Sequence, residues 1–164
     1  MVTIRCTQKL LRRMRATDVA APSTTLLGDW CANILFSRPE QLVLCVSERT
    51  LLPVVVPARP AAELGLRLAA GLGRVLAALD VPDPRIAIEL REMSAVAFAR
   101  TQKRSVLGSL NDLMFQLTLY LHDRPEFSLF QASLKLGRTP LSAIGQDCPD
   151  RLTKSLFAAA PELV

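Results

Sequence analysis

Histidine is nearly absent from this chain of 164 residues: His122 is the only one. Nucleophilic and general-base catalysis most often recruit an imidazole beside an activated side chain. His122 falls near the end of a predicted helix, beside Asp123, where an imidazolium simply complements the helix dipole. Aromatic residues are scarce too. One Trp, one Tyr and six Phe show no alternation with basic residues, the pattern expected of a platform for single-stranded nucleic acid. Glycine-rich phosphate loops are missing, since "GLRLAAGLG" and "VLGSLND" contain neither G-K-[ST] nor G-x-G-x-x-G. Ser105 and Ser109 beside Gly108 do not form the G-x-S-x-G elbow of a hydrolase.

The four cysteines, Cys6, Cys31, Cys45 and Cys148, include no C-x-x-C pair. They are expected to be small buried apolar side chains in a reducing compartment. Glu89 with Glu92, and Asp80 with Asp83, share helical spacing but lack accompanying ligands and are expected to be solvated. No cofactor or metal is therefore expected. No apolar run reaches the ~18 residues of a membrane span. The longest, 64–81, is broken by Arg67, Arg74 and Asp80. The basic N-terminal residues are not followed by an apolar segment with a cleavage site, so the expected address is cytoplasmic, with no membrane partner.

What is present is a foldable composition, 50% hydrophobic and 21% charged, at the size of one domain. The net charge of +5 comes from 20 basic against 15 acidic residues, sixteen of the basic ones arginine. That surplus attracts phosphate-bearing partners, although a chain equally rich in alanine and leucine accounts for it by composition alone.

Periodicity sets out the elements. "VTIRC" reads as a short strand, and "QKLLRRMR" as two helical turns with Leu10, Leu11 and Met14 on one side. "WCANILF", "QLVLCVS" and "TLLPVVVPA" are apolar runs joined by turn-sized connectors, which favours an antiparallel meander. Pro53 points to an edge strand or a bulge. Leu64, Leu68, Leu72, Val75, Leu76 and Leu79 mark a core-facing helix. "RIAIELREM" is ambiguous between strand and helix, "AVAFAR" reads as a strand, and 127–136 fits either class. A long helix is predicted over about 105–121, with Val106, Leu110, Leu113, Met114, Leu117 and Leu121 as its apolar stripe, and a last helix follows Pro149. The predicted fold is α+β: an antiparallel β-sheet meander packed against two long amphipathic helices in a single domain.

The sharpest local feature is "RTQKRSVLGSLND", which places Arg100, Lys103 and Arg104 ahead of or within the first turn of the long helix. A helix start carries about half a positive charge, so each cation there is disfavoured by roughly 0.3 to 1 kcal/mol unless something negative offsets it. Ser105 reads as the helix cap. With the N–H groups after it, the three cations can hold a phosphate or carboxylate. Asn111 and Asp112, two turns in, serve a ligand or a neighbouring arginine equally.

The ordered set "IRCTQKLL", "WCANILF", "TQKRSVLGSLND" and "GRTPLSAIG" followed by "CPDRL" resembles a bacterial family of small proteins known only as a domain of unknown function. Its members carry "CTKKLL", "WHANL" and "RSVLGSMND"; here Leu110 replaces a methionine and Cys31 a histidine. The resemblance implies a bacterial origin and the fold, and it brings no activity.

The expected function is a non-enzymatic interaction module that binds a protein partner or an anionic small ligand. The expected site is Arg100, Lys103, Arg104, Ser105, Asn111 and Asp112, with Trp30 and Asn33. A nucleic-acid-associated regulator is the alternative, and a hydrolase the third reading.

Overall fold

The computed structural model describes residues 1–38 and 40–161. In chain order the elements are β1 (Val2–Cys6), α1 (Gln8–Met14), β2 (Trp30–Leu35), β3 (Leu42–Ser47), β4 (Pro53–Pro57), α2 (Leu64–Ala78), α3 (Asp83–Glu92), β5 (Val96–Arg100), α4 (Arg104–Asp123), α5 (Leu129–Leu136) and α6 (Pro149–Ala159). Short 3-10 turns precede α2 and α6. Both ambiguous segments, α3 and α5, are helices.

All six residues of β3 are buried, which a pleated strand permits only when both of its faces are covered. Alternation along the strands divides the apolar residues between two cores. Ile4, Trp30, Ala32, Val43, Cys45, Val54 and Val56 point to one side, where α1, α2, α3 and Phe157 of α6 cover them. Cys31, Leu44, Val46 and Val55 point to the other, beneath Val106, Leu110, Leu113 and Leu117 of α4 and Ala132 and Leu136 of α5. A buried leucine contributes about 1.5 to 3 kcal/mol. These stripes, more than helix propensity, hold the helices in place.

The fold is α+β, but the expected meander accounts for only part of the sheet. The strand order is β4-β3-β2-β1-β5. The β2–β3 and β3–β4 pairs are antiparallel, as the short connectors require. β1, however, runs parallel to both β2 and β5. Each of those pairings is bridged by a connection long enough for a crossover, the first through α1 and the second through α2 and α3. Helices also cover both faces of the sheet, where the sequence reading had two long helices against it.

Both edges of the sheet are closed by local chemistry. On β5, the 16–25 segment donates from Val19 N to Phe98 O at 3.1 Å, while Arg100 N donates to Asp18 Oδ1 at 2.9 Å. On β4, which begins at Pro53 as an edge strand does, Val55 N donates to Ser133 Oγ at 2.9 Å and Arg67 Nε to Pro57 O at 2.8 Å. A buried hydroxyl chain ties α6 to the β3–β4 turn: Thr153 Oγ1 donates to Thr50 Oγ1 at 2.8 Å, and Thr50 lies 2.9 Å from Ser47 Oγ.

α2 approaches the sheet most closely at Gly65, where an added Cβ would lie 2.8 Å from Val96 Cγ2. Gly65→Ala should therefore destabilise the protein by about 1 to 2 kcal/mol in urea melts, overpacking outweighing the gain in helix propensity. Val96→Ala in the same chain should restore part of the loss.

Candidate functional site

The cations that open "RTQKRSVLGSLND" do not act as a cluster. Arg100 ends β5, with its Nε 3.8 Å from Asp18 Oδ2. Lys103 is the residue before the first helical turn of α4 and pairs with Glu48. Arg104 is exposed and makes no ion pair among the described residues. Ser105 is not the cap: Lys103 holds that position with no side-chain cap bond, and Ser105 lies exposed within the first turn. The cap reading placed the helix start two residues late, at 106 instead of Arg104. Asn111 and Asp112 are exposed on the side of α4 away from the sheet.

Trp30 and Asn33 are built into the sheet. Trp30 is fully buried, and its Nε1 has no hydrogen-bond partner. Asn33 Oδ1 accepts from Thr7 Oγ1 and from Ile34 N, both at 2.8 Å, which fastens the start of α1 to β2. Cys31 lies under α4, at 3% exposure, while Ser105 and Asn111 are on the helix exterior. These side chains do not converge on a common cavity. His122 is exposed in the last turn of α4. Among the described residues no group of His, Cys, Asp and Glu is placed to hold a metal ion, and no helix is long and apolar enough to cross a membrane.

The larger concentration of unpaired positive charge lies elsewhere. β2, β3 and β4 end together, since Leu35 pairs with Leu42 and Leu42 with Pro57. That convergence forms a cleft of about 450 Å³ lined by Phe36, Arg38, Glu40, Gln41, Pro57 and Arg59. α1 closes one side: Arg13 donates to Gln41 Oε1 at 2.6 Å, and Lys9 Nζ sits 3.9 Å from the centre of the Phe36 ring. Lys9, Arg13, Arg38 and Arg59 are all exposed, and none is in an ion pair among the described residues. The sequence signal was half visible. "KLLRRMR" stood out as basic, but Arg38 and Arg59 join it only through the antiparallel return of the strands.

Glu89 corrects the sequence reading, which expected a solvated carboxylate there. Its carboxylate, 3% exposed, accepts from Leu26 N at 2.7 Å and Leu27 N at 3.0 Å, and so anchors the loop before β2 to α3. Burial pushes its pKa above the ordinary carboxylate value, against the opposing pull of those two N–H groups. Glu92, by contrast, is held low, first by its hydrogen bond from Thr24. The three sheet cysteines are also shifted. Burial raises Cys6 to about 12 and Cys31 to about 11, and moves Cys45 in the same direction.

Thiol and acid titrations check these environments. In the folded protein Cys148, the one partly exposed thiol, should react with a disulfide reagent well ahead of Cys6, Cys31 and Cys45, and Cys148→Ser should abolish the fast phase. Glu89→Ala should cost about 2 kcal/mol or more, because two buried N–H groups lose their acceptor. A folded pKa above the unfolded one means that the native state binds more protons between the two values. The Glu89 contribution therefore falls as pH rises from the ordinary carboxylate range through the raised value, and this slope should be missing from Glu89→Ala melts.

No curated protein matches the chain. A family described as a domain of unknown function, DUF6933, matches residues 3–152, a span that runs from the second residue of β1 into α6 and includes β2 to β5 and each of the motifs "IRCTQKLL", "WCANILF" and "TQKRSVLGSLND". With nearly its whole length accounted for in this way, the chain belongs to the DUF6933 family.

Proposed function

We propose that the protein is a non-enzymatic interaction module that binds a phosphate-bearing ligand in the cleft at the β2–β3 turn. The observation that carries this reading is a concave site lined by Arg38 and Arg59, with Lys9 against its Phe36 and Arg13 bonded to its Gln41, all four cations exposed and none in an ion pair among the described residues. Guanidinium groups present paired N–H donors that match phosphate oxygens, and three of the four cations are arginines. Arg100 and Lys103 have carboxylates of their own nearby, which favours the cleft over the α4 start as the place where an anion is held. The α4 surface carrying Arg104, Ser105, Asn111 and Asp112 suits a protein partner better, as all four side chains are exposed along one helix.

A second reading is single-stranded nucleic acid. Phe36 favours it, a ring left 53% exposed beside Lys9, where a base can stack while the backbone meets the arginines. Titration with pyrophosphate and with a short labelled oligonucleotide, across a range of salt, separates the two. Pyrophosphate binding that Arg38→Glu and Arg59→Glu each weaken by about tenfold, the loss expected for a charge-assisted pair, supports the small-ligand reading. Oligonucleotide binding with a steep salt slope, and with selective loss in Phe36→Ala, supports the second. Absence of both at low salt overturns the assignment of an anion site.

A further inference from the structure

α3 turns one face toward the segment before β2 and the end of α6. Arg85, Glu89 and Glu92 recur on that face at spacings of four and three, with Ile88 beside them. They line a cavity of about 380 Å³, to which Leu26, Arg49 and Phe157 also contribute. Small organic molecules occupy pockets of this volume. Both acids in its wall are taken up within the protein: Glu89 accepts from two backbone N–H groups, and Glu92 Oε2 accepts from Thr24 Oγ1 at 2.5 Å. The guanidinium groups are not. Arg49 Nη1 donates to Leu26 O at 3.1 Å and Arg85 Nη2 to Ala160 O at 3.0 Å, one bond from each five-donor fork. Neither is in an ion pair among the described residues, although Arg85 and Glu89 stand one helical turn apart, where such pairs ordinarily form. The two carbonyls orient the arginines and leave their charge unanswered.

We propose that this cavity binds a small monocarboxylate with an apolar body, its head on Arg49 and Arg85 and its chain against Leu26, Ile88 and Phe157. Planar guanidinium forks match the two oxygens of a carboxylate, and the apolar side chains give the rest of the molecule a dry wall. A head with one negative charge suits the cavity better than a phosphate dianion, because Glu89 and Glu92 stand in the same wall and repel each added charge. The site is separate from the β2–β3 cleft and shares no lining residue with it.

Isothermal titration calorimetry of the full chain with octanoate tests the proposal, with circular dichroism to confirm folding of each variant. One octanoate should bind per chain, and neither octylamine nor inorganic phosphate should displace it. Arg49→Gln and Arg85→Gln, each of which keeps a donor for its backbone carbonyl, should weaken octanoate binding by about tenfold, as expected for losing one charge-assisted contact. Ile88→Glu should abolish it, since a third carboxylate then enters the apolar wall. Arg38→Glu, at the β2–β3 cleft, should leave octanoate binding unchanged, so that failure of one site is read separately from failure of the other. No saturable binding at millimolar octanoate, displacement by octylamine, or an affinity indifferent to both Arg49→Gln and Arg85→Gln overturns the assignment.

Discussion

The structure depends on a sheet whose middle is dry on both sides. β3 can present six buried residues only because α2 and α3 seal one face while α4 and α5 seal the other, and the odd and even positions of β2, β3 and β4 feed two separate cores. Neither helix layer is optional. Removing α4 and α5 would uncover Leu44, Val46 and Val55, whereas loss of α2 would uncover Val43, Cys45 and Val54. The cysteines belong to this constraint. Cys6, Cys31 and Cys45 act as small apolar side chains in the sheet, and burial keeps their thiols protonated.

Buried polar groups in this frame fasten the parts that the cores do not reach. Glu89 gathers the loop before β2 through two backbone N–H groups, Thr3 receives the 16–25 segment through Ala21 O at 2.5 Å, and Arg5 meets Asp29 at 2.7 Å. These contacts explain how a long connection without regular secondary structure stays on the sheet. Each joins groups that would otherwise be desolvated without a partner.

Period and turn chemistry were enough to read the fold class, all five strands, and the stripes of α2 and α4, because each rests on local spacing. The parallel placement of β1 was not legible. "VTIRC" pairs with segments 24 or more residues away, and nothing in its own five residues distinguishes a parallel partner from an antiparallel one. Charge was legible as quantity but not as arrangement. Lys103 looked free until β3 delivered Glu48 beside it, while Arg38 and Arg59, unremarked in sequence, were gathered by the ends of three strands. Ser105 misled for a simpler reason, since serine is a good cap and the helix begins at Arg104, two residues earlier than that role allows.

The pairing of Val2 with Val96 has a consequence for biosynthesis. While the ribosome is still making the intervening helices, the first strand has β2 on one flank and bare amides on the other, and these stay unmatched until residues 96–100 have left the exit tunnel. The nascent chain thus carries an adhesive border until that segment emerges, and attachment to a neighbouring polypeptide competes with correct closure meanwhile. Completion of the sheet is consequently a late event, triggered by the arrival of a five-residue segment and not by collapse of the helices around it.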